Sequence, residues 1–346
     1  MRIAMIAPPW VPVPPPAYGG TERVLDDLCR GLSAHGHDVL LFATGDSTCP
    51  VERAWSYDTA RGTANTSVAA ELCHVLDAYD AIRTWGADVV HDHTLSGPLY
   101  AAHHPELLVV TTNHGPFDGE LASLYRAVAR RVPVIAISEH QASTARHTPI
   151  AAVIHHGVDV GSFPIGLGRG GYAAFLGRMS PDKGVHTAIE VARAAGIPLR
   201  IAAKMSEPAE RDYFHERVEP MLGGDIEYMG EIGNAAKLEL LADAVCLLNP
   251  IGWPEPFGMV MVEALACGTP VVATPFGAVP ELVEEGVTGF VRSDEASLVA
   301  AIHEVSGLDR GDCRASAEIR FSAKRMASDH LNLYARYVAD LTMRIA

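Results

Sequence analysis

The sequence predicts an α/β protein built from two doubly wound domains, and three features carry that prediction. Apolar strand-like segments alternate with helix-like segments twice, once up to residue 156 and once from residue 172. The strand-like segments are apolar almost throughout, which is typical of a parallel sheet covered on both faces. Residues 157–171 between the two series are rich in glycine and lack periodicity, as expected for a linker.

Each element follows from its own stretch of sequence. In residues 1–156, strands are predicted at RIAMIAP, DVLLFAT, ADVVHDH, LLVVTTNH, VPVIAIS and AAVIHHG, and helices at TERVLDDLCRGLSAHG, 67–84, after Ser96 and near 120–130. In residues 172–321, strands are predicted at YAAFLG, PLRIAAK, DIEYMG, AVCLLNP, TPVVA and VTGFV, and helices at KGVHTAIEVARAAG, 208–221, 234–243 and 278–284. A last helix, about 322–346, is expected to cross back onto the first domain.

Composition bounds the class of protein. The 346 residues suffice for two cores, and the formal net charge of −15 argues against nucleic acid as a partner. Arg126, Arg130 and Arg131 lie on one predicted helix, so weak peripheral contact with a membrane stays open. The six cysteines form no CxxC pair and no apolar run reaches the length of a membrane span, which indicates a cytoplasmic protein. Composition says nothing about the oligomeric state.

The stretch WPEPFGMVMVEALACGTPVVA, residues 253–273, is the most informative. It predicts a loop, a short helix with Pro256 in its first turn and a buried strand, and it places Glu255 and Glu263 eight positions apart. We expect Glu263 to have a polar partner, because an unpaired carboxylate is costly to bury among apolar residues. A buried α/β helix that carries a glutamate is also common, so a structural interpretation stays open.

The start of this helix favours a ligand site. Unpaired backbone N–H groups at Phe257, Gly258 and Met259 suit an anionic or hydroxyl-rich ligand. In GRMSPDKG, Arg178 and Lys183 bracket a strand-to-helix turn, where two cations suit a diphosphate. Surface exposure of either cation is the alternative.

Weaker signals lie at the carboxyl ends of first-domain strands. Tyr18, Gly19, Gly20 and Thr21 open the first helix, where glycine lets backbone approach a phosphate, although an ordinary loop with Thr21 as N-cap explains them equally well.

Polar residues also end three other strands. A zinc pair of His91 and His93 is conceivable, but no third ligand is visible and we expect no metal. Ser138 and Glu139 favour an N-cap with a first-turn acid. The remaining candidates are Asp92, His114 and Asp118, expected near an acceptor or sugar, and Glu231 and Ile232, expected near a nucleobase. A structural role for the histidine, and a plain loop and helix start at 231–232, are the alternatives.

These motifs together resemble the retaining glycosyltransferases of family 4, which have the GT-B fold of two Rossmann-like domains around a cleft. The matching stretches are PPPAYGGTER, VVHDH, TTNHGP, AISEH, HHGVD, FLGRMSPDKG, MGEI and PEPFGMVMVEALACGTPVVA. The only G-x-G-x-x-G, in GLGRGG, precedes a strand and so lacks the context of a dinucleotide fingerprint.

The resemblance implies a role for each residue. Glu263 would hold the donor ribose, and Glu255 with the backbone of 257–259 would contact the sugar and phosphates. Arg178 and Lys183 would bind the diphosphate, Gly20 the same phosphates, and His114 the sugar near the reacting carbon.

The catalytic group implied is therefore His114, Arg178, Lys183 and Glu255, with Tyr18, Thr21, His91, Asp92, His93 and Asp118 as acceptor-side candidates.

The implied reaction moves a sugar from a nucleotide donor, with UDP favoured, to a hydroxyl of a small-molecule, glycan or lipid-linked acceptor. It proceeds with retention and needs no cofactor or metal. Alternatives are a nucleotide-sugar epimerase of the same fold, a non-catalytic nucleotide-sugar-binding protein and, more remotely, an NAD-linked oxidoreductase.

Overall fold

The computed structural model describes residues 1–17, 19–63 and 66–345. Its strands are β1 (Arg2–Ile6), β2 (Asp38–Ala43), β3 (Glu52–Trp55), β4 (Val89–Asp92), β5 (Val109–Thr112), β6 (Val134–Ala136), β7 (Ile150–Val153), β8 (Ala173–Arg178), β9 (Leu199–Lys204), β10 (Ile226–Gly230), β11 (Cys246–Asn249), β12 (Val271–Ala273) and β13 (Gly289–Val291). Its α-helices are α1 (Gly20–Ala34), α2 (Val68–Trp85), α3 (Gly97–Tyr100), α4 (Gly119–Val128), α5 (Glu139–Thr144), α6 (Val185–Ala195), α7 (Pro208–Tyr213), α8 (Asn234–Asp243), α9 (Met259–Ala266), α10 (Val279–Leu282), α11 (Glu295–Glu304), α12 (Arg310–Arg320) and α13 (Ala323–Ile345).

The chain divides into two compact units. Unit 1 is Met1–Gly157 with Ala323–Ala346, and unit 2 is Val158–Ser322. Each unit holds one parallel sheet among the described residues, so the predicted pair of doubly wound α/β domains is confirmed.

The sheet of unit 1 has the strand order β3-β2-β1-β4-β5-β6-β7. The order reverses between β1 and β4, and in open α/β sheets ligands bind beyond the carboxyl ends of the strands at such a switch point. His93 follows β4, and Asn113 and His114 follow β5, so these polar side chains lie at that edge.

The last helix belongs to unit 1, where the sequence places it. α13 packs along α1, and a Cβ on Gly31 of α1 would lie 2.8 Å from Cβ of Ala327, so glycine allows this close approach. Tyr334 on α13 is fully buried and its hydroxyl lies 2.7 Å from Nδ1 of His91. The final helix is therefore part of the core of unit 1.

The sheet of unit 2 has the order β10-β9-β8-β11-β12-β13, which reverses between β8 and β11. Arg178 ends β8, Lys183 lies in the turn that follows, and the loop after β11 leads to Glu255. Both informative stretches of the sequence thus follow the two strands of one switch point.

Residues 158–171, predicted as part of a linker, are counted with unit 2. The Gly166 amide donates to Cys267 O over 2.9 Å, and Arg310 Nε donates to Gly166 O over 2.8 Å. A Cβ at Gly166 would lie 1.8 Å from Ala242 O, so only glycine fits there. The glycine density therefore permits backbone packing.

Two further details differ from the predictions. The helix expected near 208–221 is α7 followed by a π-helical turn, Phe214–Val218, and a 3₁₀ turn, Glu219–Met221. The edge strand β3 was not predicted, because it is largely exposed and lacks an apolar pattern. In the part of the chain that the structure describes, no helix is long and apolar enough to cross a membrane.

Candidate active site

Lys183 and Glu255 form an ion pair in unit 2. Lys183 Nζ donates to Glu255 Oε1, and the two side chains are 10% and 15% exposed. Lys183 ends a 3₁₀ turn, Pro181–Lys183, after which Gly184 opens α6 with φ 73°. Lys183 is therefore held at a helix N-terminus and is not a surface cation.

Glu263 has the polar partner that its apolar neighbours predict. Lys237 Nζ on α8 donates to Glu263 Oε1 on α9 over 2.5 Å. The chain holds four lysines, and two of them pair with the two glutamates of residues 253–273. Each glutamate of the motif therefore has its own lysine.

Arg178 lies at the end of β8 and is about one-third exposed, at 35%. Its guanidinium lies 3.2 Å from Asp182 and 3.9 Å from Glu210. The Glu210 carboxylate also accepts from the Ser206 amide over 2.7 Å. Both predicted diphosphate ligands thus face carboxylates.

The helix that follows Glu255 starts later than predicted. α9 begins at Met259 with Gly258 as N-cap at φ 104°, so Pro256 lies before the helix and not in its first turn. The left-handed backbone at Gly258 separates Pro256 from α9, and such a conformation favours glycine. Phe257 is buried and packs edge-to-face with Phe321. The backbone that precedes α9 is therefore tightly fixed.

The same region contains buried polar atoms without a hydrogen-bond partner among the described residues. They are Ser180 Oγ, Asn249 Nδ2, Trp253 Nε1 and Glu255 Oε2. Unpartnered buried groups are uncommon in folded proteins and accumulate where function requires them. They lie at the end of β11 and on the loops after β8 and β11, as expected for a site that a ligand completes.

In unit 1, the first helix begins at Gly20 after Gly19. A Cβ at Gly20 would meet nothing within 4 Å, whereas one at Gly19 would lie 2.7 Å from Pro15 Cβ. Thr21 lies inside the helix, so it is not the N-cap. Tyr18 lies outside the described residues.

A cavity of about 290 Å³ lies near the start of this helix. Thr21, His93 and His114, three of the predicted residues, line it. Other lining side chains include Trp10, Glu22 and Glu71.

His114 is linked on both sides to other imidazoles. Its Nε2 lies 2.8 Å from His93 Nδ1, and its Nδ1 lies 3.3 Å from His156 Nε2. Burial lowers the pKa of His114 to about 4 and holds the pKa values of His93 and His156 well below the ordinary range. His114 is therefore a neutral ring whose two nitrogens are already engaged.

Two acceptor-side candidates are committed to internal contacts. His91 is fully buried, with Nδ1 at Tyr334 and Nε2 2.8 Å from Thr112 Oγ1. Asp92 is also fully buried, and it accepts from the Thr94 amide and hydroxyl and from the Tyr79 hydroxyl. Burial raises the pKa of Asp92 to about 7. Neither side chain can reach an acceptor in this arrangement, because their positions in β4 point them into the core.

The remaining predicted residues vary in their surroundings. Asp118 is exposed at the N-cap of α4, and Glu231 is exposed after β10, whereas Ile232 packs on a small core cluster with Tyr172 and Leu240. Ser138 is the N-cap of α5 and accepts from the Gln141 amide over 2.9 Å, as predicted. Among the described residues, no group of three or more His, Cys, Asp or Glu could hold a metal ion.

The fold and the polar groups at the two switch points define a class of protein. A solved glycosyltransferase of avilamycin A biosynthesis matches 98% of this chain and 98% of its own, with a TM-score of 0.76 and 25% identity. The Anabaena protein HepE in complex with UDP and glucose matches 97% of this chain and 100% of its own, with a TM-score of 0.73 and 20% identity. The fold is that of the GT-B glycosyltransferases.

Two family models match successive parts of the chain. The model for Glycosyltransferase Family 4 matches residues 18–162, and that for Glycosyl transferases group 1 matches residues 168–314. A phosphatidyl-myo-inositol mannosyltransferase of Mycolicibacterium smegmatis is 28% identical over 338 residues, which cover 87% of this chain and 83% of that enzyme. The chain belongs to the family 4 glycosyltransferases. These matches do not favour the epimerase alternative.

Sequence reasoning missed Lys237 as the partner of Glu263 and missed the link from His114 to His156. The partners lie 26 and 42 positions apart. A periodic pattern does not show such pairs, although the scarcity of lysine already marks Lys237 as unusual.

Proposed function

We propose that this glycosyltransferase is a retaining enzyme that moves a sugar from a UDP-sugar to a hydroxyl of a small-molecule, glycan or lipid-linked acceptor. The observation that carries the donor assignment is that each glutamate of residues 253–273 pairs with a lysine, Glu255 with Lys183 and Glu263 with Lys237. Together these groups present cations for a diphosphate and carboxylates for sugar hydroxyls.

The diphosphate is assigned to Lys183 and Arg178, helped by the N-termini of α6 and α9. A phosphate that binds Lys183 must compete with Glu255, with which Lys183 forms an ion pair. When phosphate replaces Glu255 at Lys183, Glu255 Oε1 would become available to a hydroxyl of the transferred sugar. Binding of the diphosphate would thus favour binding of the sugar. Preorganised cations and helix N-termini also stabilise the charge that develops on the leaving diphosphate.

The chemistry needs no enzymic base. In the proposed mechanism the acceptor attacks from the face of the leaving group, and the departing phosphate takes the acceptor proton. Glu255 and Glu263 then bind the donor, unlike the paired carboxylates of glycoside hydrolases, which flank the scissile bond. We assign His114 and Gly20 of unit 1 to the donor, as the family pattern implies, and we propose that no metal takes part.

Uridine is favoured as the base because the similar fold of HepE was solved with UDP and glucose. The acceptor class stays broad, since the mannosyltransferase relative acts, by its name, on phosphatidyl-myo-inositol. A cytoplasmic location and weak peripheral contact with a membrane are also proposals.

A thermal-shift experiment with UDP, GDP, ADP and their glucose derivatives tests the donor. A ligand that binds only the folded state raises Tm. We expect the largest rise with UDP compounds. A larger rise with GDP or ADP would contradict the uridine assignment, and no rise with any nucleotide would contradict a nucleotide-sugar donor. NMR of the glycoside product then reports retention or inversion.

A further inference from the structure

The contact between Lys237 and Glu263 is an ion pair that is largely, though not fully, removed from solvent. The two side chains are 16% and 8% exposed, whereas those of Arg178 and Asp182 are 35% and 34% exposed. An exposed pair contributes little to stability, but loss of one partner of a buried pair leaves an uncompensated charge. Lys237 is therefore integral to how unit 2 holds Glu263.

The position of Lys237 is fixed by its helix. Lys237 lies in the first turn of α8, and its amide donates to Gly233 O over 3.0 Å. Further along α8, Thr269 Oγ1 donates to Leu241 O over 2.6 Å and Arg310 donates to Ala242 O over 3.0 Å. α8 also packs against α9, which carries Glu263. The ammonium and the carboxylate are thus held by two anchored helices.

The hydrogen-bonding capacity of Glu263 suits two neighbouring hydroxyls. A carboxylate offers about four lone-pair sites, and Lys237 uses one of them on Oε1. Hydroxyls donate, so the remaining lone pairs can accept from the 2′- and 3′-hydroxyls of one ribose. A carboxylate that turned freely would lose this match, because each orientation places its lone pairs differently.

We propose that Lys237 is a positioning residue that orients Glu263 toward the ribose hydroxyls of the donor and so sets a preference for ribonucleotides over 2′-deoxyribonucleotides. The proposal rests on the proposed function, in which Glu263 binds the donor, and it places that contact at the ribose. The other pair, Lys183 and Glu255, serves the diphosphate and sugar. Each lysine–glutamate pair therefore recognises a different part of the same donor.

Isothermal titration of the full chain with UDP, 2′-deoxy-UDP and UMP tests whether the two lysine–glutamate pairs recognise different parts of the donor. Lost hydrogen bonds to a charged group lower affinity about ten- to a hundredfold, so wild type should prefer UDP over 2′-deoxy-UDP by about that factor. Lys237→Met should lose most of this preference and keep the preference for UDP over UMP. The matched variant Lys183→Met should lose most of the preference for UDP over UMP and keep the preference for UDP over 2′-deoxy-UDP. Lys237→Arg, which keeps the cation, should restore much of the ribose preference.

Three results would overturn the inference about Lys237. If Lys237→Met lowers Tm but leaves the affinity ratio of UDP to 2′-deoxy-UDP unchanged, Lys237 is merely structural and the inference is overturned. A wild type that binds UDP without ribose preference also overturns it, while the proposed function stands. If UDP, GDP and ADP all fail to bind wild type, the result contradicts the proposed function and therefore also the inference that rests on it.

Should Lys237→Met fold poorly, the double variant Lys237→Met/Glu263→Gln removes the uncompensated charge, because glutamine is neutral. We expect this double variant to recover Tm toward wild type and still to lack the ribose preference. A double variant that regains the preference would overturn the proposal.

Discussion

His93 Nδ1 lies 2.8 Å from His114 Nε2, and the two rings belong to a larger group of histidines inside unit 1. Ring centroids within the group are 4.0 to 5.2 Å apart. Burial lowers the pKa of every member, to about 4 for His114 and His330. The members are His91, His93, His114, His156 and His330.

These lowered pKa values predict that acid destabilises the protein. An unfolded histidine takes up a proton near pH 6.5, whereas His114 and His330 in the folded chain stay neutral until about pH 4. The unfolded chain thus binds more protons in this window, so the free energy of unfolding falls as the pH drops from about 6.5 to about 4. Calorimetric Tm values across this range check the prediction, and a Tm that stays constant or rises would contradict it.

Asp92 opposes this trend. Burial raises its pKa to about 7, so the folded chain keeps a proton that the unfolded carboxyl loses above about pH 3.9. One carboxyl offsets about one histidine, and the net effect of acid stays destabilising. Asp92→Asn, which resembles the protonated carboxyl, removes the offset, and we expect a steeper fall of Tm with falling pH. An unchanged slope would contradict the raised pKa.

Lys183→Ala should slow sugar transfer. Loss of one preorganised group that stabilises developing charge lowers kcat about a hundredfold or more. Lys324→Ala, the same change at an exposed position of α13, is the control and should leave the rate unchanged. UDP release with UDP-glucose as donor measures both, and equal rates in the two variants would remove Lys183 from the site.

Gly277→Ala should disturb Glu255 through the backbone. Gly277 has φ 61°, and a Cβ there would lie 2.1 Å from Glu255 O, an atom that accepts from the Ala278 amide over 3.0 Å. Gly286 has a similar φ of 71°, and a Cβ added there would meet nothing within 4 Å, so Gly286→Ala isolates the cost of the left-handed backbone. That cost is about 1–2 kcal/mol.

We therefore expect Gly277→Ala to lower both donor affinity and Tm, and Gly286→Ala to lower only Tm. Thermal unfolding with and without UDP separates the two effects. Equal donor affinity in the two variants would show that the loop tolerates the displaced carbonyl.

Transfer activity should survive dialysis against EDTA. The proposed mechanism neutralises the leaving diphosphate with Arg178, Lys183 and two helix N-termini, so it needs no divalent cation. Initial rates before and after chelation, with Mg²⁺ re-added as a control, measure this. A rate that EDTA abolishes and Mg²⁺ restores would contradict the mechanism.

Local patterns predicted much of the fold, and contacts across the chain account for most of what they missed. The buried strands beside Arg178 and Glu255 are visible as apolar runs, and Gly268 marks the end of α9 because it adopts φ 72°. The predicted start of α9 is wrong, because Pro256 suits a first helical turn by its sequence, whereas the left-handed backbone at Gly258 delays the helix to Met259.

The candidate site residues show the same difference between what local sequence predicts and what depends on contacts across the chain. The polar partner of Glu263 follows from the cost of burying a carboxylate, but its identity as Lys237 depends on how α8 packs on α9. The internal role of Asp92 was hidden, since a strand-end carboxylate has the same sequence pattern whether it faces a ligand or Tyr79. Sequence spacing does not tell these two surroundings apart.

The position of the final helix affects the order in which the two units fold during synthesis on the ribosome. Unit 2 is closed by contacts between its own ends, where the Val158 amide donates to Phe321 O over 2.9 Å. Unit 1 needs α13 to bury α1 and to supply Tyr334, and α13 follows the whole of unit 2 along the chain. Unit 1, the first in sequence, can thus complete its core only after unit 2 has been synthesised, which reverses the usual N-terminal-first order of domain folding for these two units.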